Sequence, residues 1–141
     1  MLSQTSSTSE TTTIIEGSKE GDKVPSAILN KFKAEYPDET PMWNMDKKNY
    51  RASFIDSKMK NGHAVAYDKN GVVVYREEQL AKGDYPSGID TYFVANYPQD
   101  KYGVWSSMDR SGKRRYFSKH SKGILWFDEN GKYVETVKAK K

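Results

Sequence analysis

The chain has 141 residues, 35% hydrophobic, 13% aromatic and 30% charged, with 23 lysines and arginines against 19 acidic residues. That length accommodates one ordinary domain or two small ones sharing a core, and the composition leaves a few large rings to supply much of the buried area. A diffuse net charge of +4 is not the dense patch of a dedicated nucleic-acid binder, and zero cysteines remove disulfides, thiolate catalysis and Cys-based zinc sites.

No apolar run approaches the roughly 20 residues of a transmembrane helix, and no signal-peptide core follows Met1. Residues 1–22 are mostly Ser, Thr, Glu, Gly and Lys, with Ile14 and Ile15 as an apolar pair, which predicts a disordered tail. A helix follows: Val24, Ile28, Leu29, Phe32 and Tyr36 recur at helical spacing, Pro25 suits the first helical position, where its missing N–H needs no partner, and Pro37 stops the run. The period then shortens toward two, predicting strands at 42–45, 50–55, 63–67 and 72–75. Turns at 46–49, 60–62 and 68–71 separate them, the last two with Asn-Gly hairpin signals. A second helix carries Ile89, Tyr92, Phe93 and Tyr97 on its apolar stripe, with Asp84 or Tyr85 as its expected cap and Pro98 as its stop. Strands are expected at 102–108, 114–119, 123–127 and 132–137, with turns at 109–112 and 128–131.

The two halves repeat. Val24-Pro25-Ser26-Ala27-Ile28 through Tyr36-Pro37 returns as Tyr85-Pro86-Ser87-Gly88-Ile89 through Tyr97-Pro98 at an offset of 61, and Tyr67-Asp68-Lys69-Asn70-Gly71 returns as Phe127-Asp128-Glu129-Asn130-Gly131 at an offset of 60. Two anchors at nearly equal spacing predict a duplicated unit. The expected fold is α+β: two tandem units, 23–82 and 83–138, each a helix followed by a four-stranded antiparallel sheet.

Candidate chemistry is sparse. Asp68 and Asn70, like Asp128 and Asn130, mimic the start of a calcium loop, but β-type residues follow where further oxygen ligands and a closing helical Glu are required, so a tight turn is expected. His63 and His120 do not align between the copies and have no carboxylates at a recognisable metal spacing. Neither a Ser nucleophile elbow nor a Gly-rich phosphate loop occurs, so neither enzymatic activity nor a cofactor or metal is expected. The run Lys113-Arg114-Arg115-Tyr116-Phe117 mixes charge and rings as single-strand nucleic-acid platforms do; an antiparallel strand with a basic exposed face is the plainer reading.

The aromatics support a sharper expectation. In residues 123–127, Leu125 and Phe127 share one strand face and Trp126 points to the other; if the helices cover the Phe127 face, Trp126 is open. Arg51 is open if Tyr50, Ala52 and Phe54 point inward. Trp43 and Trp105 repeat at an offset of 62, a pattern that more often marks a core or edge position. A sheet face of Trp, Tyr and Arg has the composition of a protein-binding surface, and Trp43, Arg51, Tyr75, Trp105 and Trp126 are its expected members. An envelope glycan or other polymer stacked on the same rings is the alternative ligand, and single-stranded nucleic acid the third.

On the repeated helix and turn motifs, together with Asn49-Tyr50-Arg51-Ala52-Ser53-Phe54, the chain resembles the β-lactamase-inhibitor-like, PepSY-like family of exported bacterial proteins. The resemblance covers nearly everything after residue 23. It implies tandem helix-on-sheet units, a periplasmic or extracellular location reached with a signal sequence outside this chain, no catalysis, and a protein partner gripped by the open sheet face, an inhibited enzyme being one form. Its shared motif is structural and transfers no inhibitory residue. The second copy departs from it at Gly88 and between Arg114 and Lys119, where Tyr-x-Ala-x-Phe is blurred.

Overall fold

The computed structural model describes residues 13–14 and 23–138. In chain order these form β1 (Thr13–Ile14), β2 (Lys23–Val24), α1 (Ser26–Glu35), β3 (Met42–Asp46), β4 (Asn49–Ile55), β5 (Gly62–Tyr67), β6 (Val73–Leu80), α2 (Gly88–Asn96), β7 (Val104–Asp109), β8 (Arg114–His120), β9 (Gly123–Phe127) and β10 (Tyr133–Val137). The architecture is α+β, with β3 to β10 following one another in chain order in an eight-stranded sheet and β1 paired with β2. The β3–β4, β4–β5, β7–β8, β8–β9 and β9–β10 pairings are antiparallel. The chain divides into two compact units, Met1–Tyr75 and Arg76–Lys141, with the boundary inside β6. That strand runs to Leu80 rather than the expected 75, because the polar run Arg76-Glu77-Glu78-Gln79 shows no hydropathy alternation. Thr13–Ile14 pairs with Lys23–Val24, so the expected tail is tied down there; the rest of it lies outside the described residues.

Each helix begins and ends on the repeated residues. The Pro25 carbonyl accepts from the Ile28 and Leu29 amides, and the Pro86 carbonyl accepts from that of Ile89. The prolines thus stand just outside the helices: Pro25 is the cap of α1 rather than its first turn, and Ser87, not Asp84 or Tyr85, caps α2. Tyr36 and Tyr97 close them, each donating its amide to a phenylalanine carbonyl, Phe32 at 2.8 Å and Phe93 at 2.7 Å.

In unit 1, Ile28 and Phe32 of α1 are buried with Val24, Trp43, Ala52, Phe54, Val65 and Tyr67. In unit 2, Ile89 and Phe93 of α2 are buried with Val104, Tyr116, Leu125 and Phe127. Burying one such large side chain contributes about 1.5–3 kcal/mol, so these short helices are held by packing rather than propensity. Unit 2 adds a polar knot: the Tyr85 hydroxyl donates to Asp90 Oδ1 at 2.8 Å and the Tyr102 hydroxyl donates to the same oxygen, while the Tyr102 ring stacks on Phe93 at 3.8 Å. Burial, reinforced by the Asp90 carboxylate, pushes the Tyr85 hydroxyl well above the ordinary tyrosine range.

Strand register fixes the correspondence between the units. Tyr50, Ala52 and Phe54 face Tyr67, Val65 and His63; Tyr116, Ser118 and His120 face Phe127, Leu125 and Gly123. The blurred Tyr-x-Ala-x-Phe is therefore Tyr116-x-Ser118-x-His120. The offset is 61 from Trp43 to Val104, 66 from Tyr50 to Tyr116 and 60 from Tyr67 to Phe127. Unit 2 has the longer link between its first two strands and the shorter one between its second and third. Ser118, fully buried in Ala52's place, has no hydrogen-bond partner for its hydroxyl among the described residues.

Candidate functional site

The turn aspartates come first, because they resemble ligands. Asp68 Oδ1 accepts from the amides of Asn70 and Val72, Asp109 Oδ1 from Ser111 and Lys113, and Asp128 Oδ1 from Asn130 and Lys132. Gly71, Gly112 and Gly131 each complete the turn at φ between 82° and 89°. These carboxylates hold their own loops, and the donated hydrogen bonds keep Asp109 and Asp128 below the usual carboxylate range. His120 is likewise engaged: Nε2 lies 2.7 Å from Asp100 Oδ2, Nδ1 accepts from the Lys122 amide, and the ring packs on Tyr97. No group of three or more His, Cys, Asp or Glu side chains suited to a metal occurs among the described residues.

The sheet face away from the helices differs sharply between the units. In unit 1, alternation puts Asn44, Asp46, Arg51, Ala64 and Ala66 on it. The Tyr75 hydroxyl donates to Asp46 Oδ2 at 2.6 Å and accepts from Arg51 Nη1 at 3.3 Å. Tyr75 stands on β6 and Asp46 on β3, so the ring reaches across β5 and β4, which is open to it because β5 offers only alanines there. Ala64 and Ala66 are 3% and 0% exposed accordingly.

In unit 2 the matching row is aromatic. Trp105 is opposite Phe117 on β8, and Phe117 is opposite Trp126 on β9. Their ring centroids lie 5.9 Å and 4.9 Å apart, with planes inclined by 20° and 43°. Trp105 is thus stacked on Phe117, and Trp126 packs on it at a tilt. Two cations complete the row: the Arg115 guanidinium carbon is 4.1 Å from the Trp126 ring centroid and Lys119 Nζ is 4.9 Å from that of Trp105. Trp105, Trp126 and Arg115 are half-buried, Phe117 is buried and Lys119 is exposed.

Of the five expected surface residues, the structure joins Trp105 with Trp126 in unit 2 and Arg51 with Tyr75 in unit 1. Trp43 belongs to neither group. It is 4% exposed, its ring set edge-on to Phe32 under α1 and near Tyr67, which corrects its expected place on the open face. The offset of 62 pairs it with the wrong residue. Val104 takes Trp43's place and Trp105 takes Asn44's, and a shift of one along a strand reverses the face. The spacing argument missed Asp46, Arg115, Phe117 and Lys119. The signal for two of them, Arg115 and Phe117, was present in the basic-aromatic run, whose plainer reading, a strand with a basic outer face, agrees with the placement of Arg115.

No family model and no curated protein matches the chain. Solved structures do, at low identity. A Bacteroides eggerthii protein provisionally assigned to the periplasm superposes with a TM-score of 0.68 at 15% identity, covering 82% of this chain and 88% of that one. A DUF2874 family protein from Bacteroides ovatus gives 0.63 at 19% identity, over 84% and 89%. A BLIP-like protein from Bacteroides fragilis gives 0.54 at 19% identity, over 86% and 89%. The fold is shared with DUF2874 and BLIP-like proteins. The resemblance read from the sequence therefore stands at the level of fold. No helix among the described residues is long and apolar enough to cross a membrane.

Proposed function

We propose that this chain is an exported, non-enzymatic binding protein of the periplasm or cell exterior that engages a protein partner through the open sheet face of unit 2. The carrying observation is the row Trp105–Phe117–Trp126 with its two cations, a concentration of large rings and arginine of the kind that anchors protein interfaces. The provisional periplasmic assignment of the B. eggerthii neighbour supports the location, and the BLIP-like neighbour supports a protein as the ligand. The two units are read as copies of one α-β-β-β-β element, a duplicated scaffold whose open faces diverged.

Glycan or base stacking needs ring faces lying open to the ligand. Here each indole is half-buried against Phe117 and a cation, which favours a protein partner over an envelope polymer or single-stranded nucleic acid. The test is affinity capture from a native envelope extract, with the captured partner identified and then purified. Trp126→Ala and Trp105→Ala, each checked for a native circular-dichroism spectrum, lose the partner; full retention by both variants rejects the reading.

A further inference from the structure

The unit 2 row also indicates what kind of partner segment fits it. Phe117 is buried between Trp105 and Trp126, so the row presents its two half-buried indoles outward, packed on Phe117 and on the cations. Arg115 and Lys119 add two full charges at either end of this ridge. Among the described residues neither is paired with a carboxylate; their interactions are with the indoles. The remaining acids nearby do not neutralise them. Asp109 is held by its turn amides, Glu77 and Glu78 have interactions of their own, and Glu135, opposite Trp126 on β10, is one charge against two. A cation resting on an indole remains available, since the contact is weak at exposed sites and uses none of the N–H donors that pair with a carboxylate.

Resting on the reading of this face as the binding surface, we infer that its occupant is an acidic, apolar polypeptide segment. Its carboxylates pair with Arg115 and Lys119, and its aliphatic side chains cover the exposed parts of Trp105 and Trp126. The complementarity is that of a ridge with an apolar body and positive flanks, and charge-assisted hydrogen bonds from Arg115 supply the directional part. Unit 1 offers no such ridge, because Arg51 is already bonded to Tyr75, which is bonded to Asp46.

The test uses the full chain and three short synthetic peptides, alternating Glu–Leu, Ser–Leu and Lys–Leu, titrated while tryptophan fluorescence is followed. The Glu–Leu peptide half-saturates at about a tenfold lower concentration than Ser–Leu, and added salt narrows the gap. Lys–Leu binds weakest. The double variant Arg115→Gln with Lys119→Gln abolishes the preference, whereas Arg51→Gln leaves it intact. Equal binding of Glu–Leu and Ser–Leu, a preference for Lys–Leu, or no binding of any peptide overturns the inference. In those cases the capture experiment with Trp126→Ala still decides separately whether the face binds a partner at all.

Discussion

Where unit 1 sets Asn44, Arg51 and Ala66 across its open face, unit 2 sets Trp105, Phe117 and Trp126, although helix starts, helix stops, hairpin turns and core strands correspond between them. Unit 1 turns its one tryptophan inward, Trp43 against Phe32, and closes its outer face with an Asp46–Tyr75–Arg51 network over two alanines. Unit 2 fills the inner position with Val104 and turns its tryptophans outward. Tyr85, Tyr92 and Tyr102 pack against unit 2's interior at positions where unit 1 has Val24, Lys31 and Pro41, and supply ring volume there. The alternation of a strand lets the two faces vary independently, so a scaffold can be kept by its inward residues while the outward ones change chemistry.

The largest effect that would break this comparison is in the core. Trp43→Ala lowers unfolding stability by about 3–5 kcal/mol, whereas Trp126→Ala costs about 1 kcal/mol, the worth of one cross-strand aromatic pair and one cation contact. Urea denaturation measures both, and equal losses would mean that the two indoles occupy like environments.

A second contrast is at the start of β9. Gly123 has φ of +132°, and a Cβ there would come 2.5 Å from the Val137 carbonyl oxygen, whereas unit 1 places His63 at the matching position, stacked on Phe54. Gly123→Ala is expected to cost about 2 kcal/mol or more and to loosen β10, read as faster amide exchange at Thr136 and Val137. Unchanged exchange there would show that the backbone yields freely.

The Ala52–Ser118 exchange gives a smaller effect of opposite signs. Ser118→Ala removes a buried hydroxyl without a partner and is expected to stabilise by about 1 kcal/mol, while Ala52→Ser destabilises unit 1 by about 1–3 kcal/mol. A loss of stability in Ser118→Ala would mean that the hydroxyl is satisfied in solution.

The smallest contrast is in alkali. The folded Tyr85 hydroxyl holds its proton more tightly than the unfolded one, so its contribution is fully present below the ordinary tyrosine value of 10.0 and is lost as pH rises above it. Val24 stands in the corresponding place in unit 1 and has no such dependence. Stability followed from about pH 9 to pH 11 should fall in the native chain and fall less in Tyr85→Phe. Identical slopes would remove Tyr85 from the account.

Much of the scaffold was legible because its signals are local. Tyr36-Pro37 and Tyr97-Pro98 and the Asp-x-x-Gly turns each act within a few residues, and the structure uses them where the sequence pattern put them, while the helix starts at Pro25 and Pro86 are displaced by only a residue or a few. The register of β8 was not legible, because only Tyr116 matches Tyr50-x-Ala52-x-Phe54 and the flanking links differ in length in opposite directions. The same shift made Trp105 look like Trp43. The site was half legible: Trp126 followed from its neighbours Leu125 and Phe127, whereas the bond from Tyr75 to Asp46 joins residues 29 apart in the chain and is visible only once the strands are assembled.

The most direct test of the two-faced account labels all three tryptophans with 5-fluorotryptophan and records their fluorine resonances with a soluble paramagnetic agent, assigning each by substitution. The account predicts that the Trp105 and Trp126 signals broaden while that of Trp43 is spared. Protection of Trp105 to the same degree as Trp43 would restore the equivalence suggested by their spacing of 62 and contradict the outward aromatic row of unit 2.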